Sequence, residues 1–143
     1  MGREPMSDLS WKSKYELGIP MMDEQHKRLF FLLTQLNQSV ANNRPKEQIH
    51  SILRSLVVQT TEHLHTEEVL MIQMGFPDFA NHKTAHEKLL SGLHGLELRF
   101  KEGDASMAML VTTFLGGWLR THIALEDRGY ATFLENQKES RSA

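Results

Sequence analysis

Histidine and carboxylate residues recur in this sequence at spacings that suit metal binding. Eight of its 143 residues are histidine, and most lie in segments whose apolar residues repeat as they do in helices. Residues four apart share one helix face, so His63 with Glu67 and His82 with His86 can each present two side chains together. Imidazole and carboxylate groups suit iron or manganese better than magnesium or calcium.

Candidate ligands occur in each of four predicted helices, at positions that could share one depth: His26, His63, Glu67, His82, His86, His122, Glu126 and Asp127. With only one of the adjacent Glu126 and Asp127 counted, seven convergent ligands remain, which are too many for one ion, so two bridged metals are the natural interpretation. Buried histidines and carboxylates cost several kcal/mol each when unpaired. A pair of metal ions would neutralise them together.

The elements that would position these residues are four amphipathic helices, predicted at about 23–40, 46–74, 79–100 and 105–130. Turn residues separate them; Gly75 suits a helix C-terminus and Asp78 could cap the third helix. The connections between successive helices are roughly 3–6 residues long, which implies that neighbouring helices are antiparallel. The predicted fold is therefore all-α, an up-down-up-down antiparallel four-helix bundle with an N-terminal arm.

The length of the chain fits one domain. We expect a flexible N-terminal tail at residues 1–10, the bundle at residues 11–136 and a polar C-terminal tail at residues 137–143. The arm, residues 7–20, would lie over the bundle.

Composition excludes several other classes of protein. The absence of cysteine excludes disulfides, thiolate zinc sites and iron–sulfur clusters. The net charge of -2 and the interspersed charges give no sign of nucleic acid as a partner. No apolar run approaches the roughly 20 residues that span a bilayer, and residues 1–10 lack the apolar core of a secretory signal. We expect a cytoplasmic protein with no membrane insertion.

The pattern His26; His63-x3-Glu67; His82-x3-His86; His122-x4-Asp127 resembles the signature of the hemerythrin family, and local contexts agree over about residues 11–133. These contexts include Gly75-Phe76-Pro77 before His82 and Trp118-Leu119 before His122. The resemblance implies two iron ions (Fe2+/Fe3+) bridged by an oxo or hydroxo group. It also implies reversible O2 binding rather than enzymatic activity, in a carrier, storage or delivery protein.

The resemblance assigns each ligand a role. His82, His86 and His122 would hold one iron, and His26 and His63 the other. Glu67 and Asp127 would bridge the two, and O2 would bind at the position left open on the second iron. Leu29, Trp118, Leu119 and Ile123 would surround the O2 pocket.

Spacing and resemblance disagree at one ligand. Asp127 lies five residues after His122, about 140° round an ideal helix, so Glu126 faces His122 better. We follow the resemblance and predict a widened turn, of the π-bulge type, near the end of the fourth helix.

Ligating imidazoles usually donate their second N–H to a nearby acceptor; Glu24, Gln25 and Tyr130 are candidates for such support.

Three histidines, His50, His65 and His94, fall outside the ligand pattern, and we expect them to be solvated surface residues.

Two alternative functions remain open at this point. The first is an O2- or redox-sensing input domain that acts on a signalling output domain. The second is a di-iron oxidase or peroxidase, a class that uses Glu-x-x-His on two different helices. Here both such motifs fall on one helix, at Glu47/His50 and Glu62/His65. A carrier would instead deliver O2 to an accepting enzyme.

Overall fold

The fold is seen in a computed structural model, which describes residues 9–142. These residues form helices and no strand. The elements are a 3-10 turn (Ser13–Tyr15), α1 (Pro20–Ala41), α2 (Lys46–Met74), α3 (Phe79–Lys101), α4 (Met107–Thr121), a π-helical turn (His122–Asp127) and α5 (Arg128–Ser142). Because α4, the π turn and α5 follow one another without a loop, we call them together the fourth helix.

The helices close into a ring. Helix α1 packs against α2 and α4, and α3 packs against α2 and α4. Since the connections between successive helices are short, neighbours run antiparallel. The predicted up-down-up-down four-helix bundle is confirmed.

The first three helices end in the same way. Asn43, Gly75 and Gly103 have positive φ angles just past α1, α2 and α3. After α2, the N–H of Phe76 donates to the carbonyl of Met71 (2.9 Å) and that of Gly75 to the carbonyl of Ile72 (3.2 Å). This is the Schellman arrangement, in which a left-handed residue satisfies carbonyls left open at a helix end. The predicted role of Gly75 is confirmed.

Some helix boundaries differ from prediction. Helix α1 begins at Pro20, because proline lacks an N–H and suits the first helical position. The expected side-chain cap by Asp78 is wrong: its carboxylate accepts a hydrogen bond from Nδ2 of Asn81 at 2.7 Å instead. Helix α5 runs to Ser142 and so continues through most of the predicted polar tail.

The N-terminal arm packs on the bundle. The Tyr15 ring stacks on that of Phe30, with 5.0 Å between centroids, and Arg128 donates to the carbonyls of Lys14 (3.1 Å) and Glu16 (3.0 Å). Leu9, placed by prediction in a flexible tail, is buried. The rest of that predicted tail, residues 1–8, lies outside the described residues, and the domain boundaries stay a prediction.

Within the described part of the chain, no helix combines the length and apolar character needed to cross a membrane.

Candidate metal centre

All seven predicted ligands meet in one cluster between the helices, and none is more than 5% exposed. Helix α1 contributes one, α2 and α3 contribute two each, and the π turn contributes the last two. In chain order they are His26, His63, Glu67, His82, His86, His122 and Asp127. The structure thus brings together every residue of the predicted set. Whether each one ligates a metal remains a prediction.

Asp127 lies between the histidines of both expected half-sites. Its Oδ2 is 2.9 Å from Nε2 of His26 and 3.8 Å from Nε2 of His63. Its Oδ1 is 2.9 Å from Nε2 of His122. The two oxygens therefore face different sets of imidazoles.

Glu67 has the same property. Its Oε2 lies 3.3 Å from Nε2 of His63 and 3.0 Å from Nε2 of His122. Its Oε1 lies 3.4 Å from Nε2 of His86 and 3.8 Å from Nδ1 of His82. Two carboxylates placed in this way are arranged as bridges between two cations would be.

Several of these buried atoms have no hydrogen-bond partner among residues 9–142. They are Oε1 of Glu67, Nδ1 of His82, Nε2 of His86 and both carboxylate oxygens of Asp127. A buried polar atom left unpaired costs free energy. Donor atoms of His63, Glu67, His122 and Asp127 lie within 4.8 Å of one another, as do those of Glu67, His82 and His86. The residues present therefore fit a pair of metal ions.

The two carboxylates are held ionised. Burial, and repulsion from Asp127, would each raise the pKa of Glu67, but the adjacent imidazoles of His122, His63 and His86 outweigh them and lower that pKa to about 2. Burial also opposes ionisation of Asp127, yet the charge and close approach of the His122 imidazole hold the pKa of Asp127 well below its ordinary value. Both groups therefore offer anionic oxygens at neutral pH.

The pKa values of His122 and His26 shift in opposite directions. Burial would lower the pKa of His122, but Asp127, Glu126 and Glu67 raise it well above its ordinary value. Burial prevails at His26, where it lowers the pKa despite the close contact with the Asp127 carboxylate. The cluster without metal thus stores protons that incoming cations would displace.

The imidazole of His63 is oriented by a short chain of side chains. Its Nδ1 lies 2.9 Å from Oε1 of Gln25, and Nε2 of Gln25 donates to Oγ1 of Thr66 at 3.2 Å. Because the amide oxygen accepts, His63 carries its proton on Nδ1 and directs the Nε2 lone pair into the cluster. The predicted support from Gln25 is confirmed.

Carboxylates stand behind three other imidazoles. Glu68 Oε2 lies 3.2 Å from Nδ1 of His86, and Glu126 Oε2 lies 2.5 Å from Nδ1 of His122. Asp78 Oδ2 is 3.6 Å from Nε2 of His82.

The roles of Glu68 and Asp78 were not predicted. Asp78 lies four residues before His82, and this spacing could have indicated that its carboxylate contacts the His82 imidazole. Glu68 approaches His86 from a different helix and left no local signal.

Two other expected supports are wrong. Glu24 is exposed and pairs with Lys27 at 3.6 Å. The hydroxyl of Tyr130 is buried but finds no hydrogen-bond partner in the described part of the chain. Burial, together with the charge of Glu67, raises the pKa of this phenol, which keeps it neutral near the cluster.

The predicted widened turn is confirmed. Residues His122–Asp127 form a π-helical turn, whose extra residue rotates Asp127 onto the face that carries His122. Asp127 is fully buried, whereas the Glu126 side chain is 41% exposed and faces the outer nitrogen of His122. The geometry thus supports Asp127, rather than Glu126, as the shared carboxylate.

The four predicted pocket residues differ in their surroundings. Leu29, Leu119 and Ile123 are buried in the main apolar cluster of the bundle, and Trp118 packs against that cluster. The Trp118 ring stacks on the His122 imidazole, with centroids 4.3 Å apart and an interplanar angle of 15°. Trp118 therefore lies directly against a predicted ligand.

The three histidines outside the pattern lie away from the cluster. His65 and His94 are exposed, as predicted. His50 is only half-exposed, and its Nε2 lies 3.6 Å from Oε2 of the buried Glu97.

Comparisons with known proteins agree with this arrangement. The family model described as the hemerythrin HHE cation binding domain matches residues 17–134. Bacteriohemerythrin of Methylococcus capsulatus is 29% identical over 130 residues, 90% of this chain and 98% of that protein. The hemerythrin-like protein of Naegleria gruberi is 31% identical and covers 87% and 92%.

A solved structure gives the same result. The crystal structure of wild-type hemerythrin matches with a TM-score of 0.79 at 29% identity, covering 86% of this chain and 95% of that one. The family match spans most of the chain, including all seven clustered residues. This chain therefore belongs to the hemerythrin family.

Proposed function

We propose that this protein binds O2 reversibly at a di-iron centre and serves as a carrier, storage or delivery protein rather than an enzyme. The observation that carries the proposal is the placement of Glu67 and Asp127, each with oxygens facing histidines of both half-sites. Relatives that match most of the chain are named bacteriohemerythrins, which supports the same assignment.

The residues divide into two sets. His82, His86 and His122 would hold one iron, His26 and His63 the other, and the two carboxylates would hold both. When bound, the irons supply an open position and exchangeable electrons for O2. The unequal number of imidazoles, three against two, is what would leave that position on the side of His26 and His63.

The surrounding side chains keep water away from the site. His26, His63 and Asp127 are fully buried, and the apolar Leu29, Leu119 and Ile123 lie in the adjoining core. A dry environment suits reversible binding, because water and protons would otherwise promote loss of electrons from the metals. Gln25, Glu68 and Glu126 fix the imidazoles from behind.

The oxidase alternative lacks support. Its two Glu-x-x-His motifs both lie on α2, and Glu47, Glu62 and His65 are exposed. None of these three residues joins the buried cluster. No observation on the described residues favours the sensor alternative.

Visible absorption of the iron-loaded protein tests the proposal. We expect two irons per chain and a band that appears with O2 and disappears when O2 is removed. His65→Gln, on the exposed face of α2, should behave as the parent protein. A folded protein that takes up no iron, or an iron-loaded protein whose spectrum ignores O2, would contradict the proposal.

A further inference from the structure

A second group of metal-binding side chains surrounds Glu97, far from the central cluster. Glu97 is 8% exposed although it is charged. It lies eleven residues after His86 on α3, about 16 Å along the helix. A carboxylate buried this deeply needs partners to offset the loss of hydration.

The two oxygens of Glu97 have different partners on α2. Oε1 accepts a hydrogen bond from Nη1 of Arg54 at 3.0 Å. Oε2 lies 3.6 Å from Nε2 of His50, which is too long for a hydrogen bond. Two ligand atoms on one tetrahedral zinc ion, with bonds of about 2.0–2.2 Å, are separated by roughly 3.3–3.6 Å. The spacing of His50 and Glu97 therefore suits a shared ion.

His50 is held in place by an aromatic neighbour. Its ring stacks over that of Phe100, with centroids 6.3 Å apart and an interplanar angle of 6°. The stack restricts the plane of the imidazole, and Nε2 is the nitrogen that faces Glu97. A ligand that is already oriented loses less entropy when a metal binds.

His94 supplies a third donor. It lies three residues before Glu97 on the same helix, and such residues are neighbours on the helix surface. It lines a groove of about 400 Å³ together with His50, Arg54, Glu97, Leu98 and Lys101. In the described structure the three donors are not all within 4.8 Å of one another. A shared ion therefore requires the exposed His94 imidazole to turn towards the pair.

We propose that His50, His94 and Glu97 form a second metal site, which takes a divalent transition ion of the zinc type. Two imidazoles and one carboxylate are a donor set that zinc prefers, with water as the fourth ligand. Arg54 stays on the other oxygen of Glu97 and orients it. A bound ion would link α2 to α3 away from the central cluster and stabilise the bundle by an amount that grows with the free zinc concentration relative to the Kd.

Zinc binding to the iron-loaded protein tests this site. We expect the parent to bind one more zinc ion per chain than His50→Gln or His94→Gln, with iron content unchanged. Zinc should also raise the Tm of the parent and leave that of both variants nearly unchanged. His65→Gln is the matched control on α2, since it removes an exposed histidine outside the groove.

A second measurement identifies the ligands. With Cu2+ as the probe, electron paramagnetic resonance of the parent should show coupling to two nitrogens, and His94→Gln should reduce this to one. Because His94 is exposed, this substitution is expected to leave the fold intact. Zinc uptake that ignores His94, that depends on His65, that releases iron, or that is absent would each overturn the proposal.

Discussion

The Nε2 atom of His122 lies 2.9 Å from Oδ1 of Asp127, although five residues separate them along the fourth helix. In a regular α-helix, five residues turn the chain through about 500°, so the two side chains would diverge by about 140°. The π turn removes this divergence. One local change in helical winding therefore decides which of two adjacent carboxylates reaches the centre.

Substitutions of the adjacent carboxylates Asp127 and Glu126 distinguish their roles. Asp127→Asn should abolish loading of the second metal, because a neutral amide cannot replace an anionic oxygen shared between two cations. Glu126→Gln should retain both metals with weaker binding, about 10- to 100-fold, since it only supports His122 from behind. Metal content after dialysis and the visible spectrum measure both outcomes. If Glu126→Gln alone loses iron, the two assignments must be exchanged.

The orientation of His63 gives a second prediction. Gln25→Leu removes the acceptor at Nδ1 of His63 and leaves the imidazole free to rotate or to change tautomer. We expect metal affinity to fall about 10- to 100-fold, with little change in secondary structure. Glu24→Gln is the control, because Glu24 is exposed and contacts Lys27 instead. Equal losses in the two variants would show that the Gln25 contact has no specific role.

Most of the fold and of the metal centre could be predicted from the sequence, and the reason is physical. The helices and the pairs His63/Glu67 and His82/His86 depend on contacts within one helix, and local spacing encodes such contacts. Asp127 could be chosen only through the resemblance, because the spacing rule assumes regular winding.

Contacts between elements remained out of reach. Glu68 reaches His86 from α2, the half-buried His50 meets Glu97 across α2 and α3, and Leu9 packs against Gly116 of α4. Residues distant in sequence make each of these contacts, and no local pattern specifies which partner they will meet. Composition alone placed Leu9 in the flexible N-terminal tail.

Acid should destabilise the metal-free protein in a defined window. The folded-state pKa of Glu67 is about 2, against an ordinary value of 4.5, so ionised Glu67 stabilises the fold fully above pH 4.5. This contribution is lost as pH falls from 4.5 towards 2, and Asp127, whose pKa is also lowered, acts in the same direction. Urea unfolding of the metal-free protein across this range measures the loss. Glu67→Gln should flatten the profile; an unchanged profile would show that Glu67 is not the group responsible.

Raising the pH should also destabilise the metal-free protein, through deprotonation of His122. Its pKa is raised well above 6.5, so protonated His122 stabilises the metal-free fold below pH 6.5, and this stability is lost as pH rises through the raised value. Metal ions need the unprotonated imidazole. Loading at neutral pH should therefore release protons, measurable with a pH indicator in weak buffer. Loading without proton release would contradict the charge state assigned to His122.

Two adjacent glycines of α4 test how tightly the N-terminal arm is seated. A Cβ added at Gly116 would lie 2.9 Å from Cδ2 of Leu9, whereas one added at Gly117 meets nothing within 4 Å. Gly117→Ala should raise the free energy of unfolding by roughly 0.5–1 kcal/mol, the usual difference between alanine and glycine inside a helix. Gly116→Ala should gain less, because the buried Leu9 side chain must shift to make room. Urea unfolding of the two variants measures this difference, and equal gains would mean that Leu9 gives way at no cost and that the arm is only loosely packed on α4.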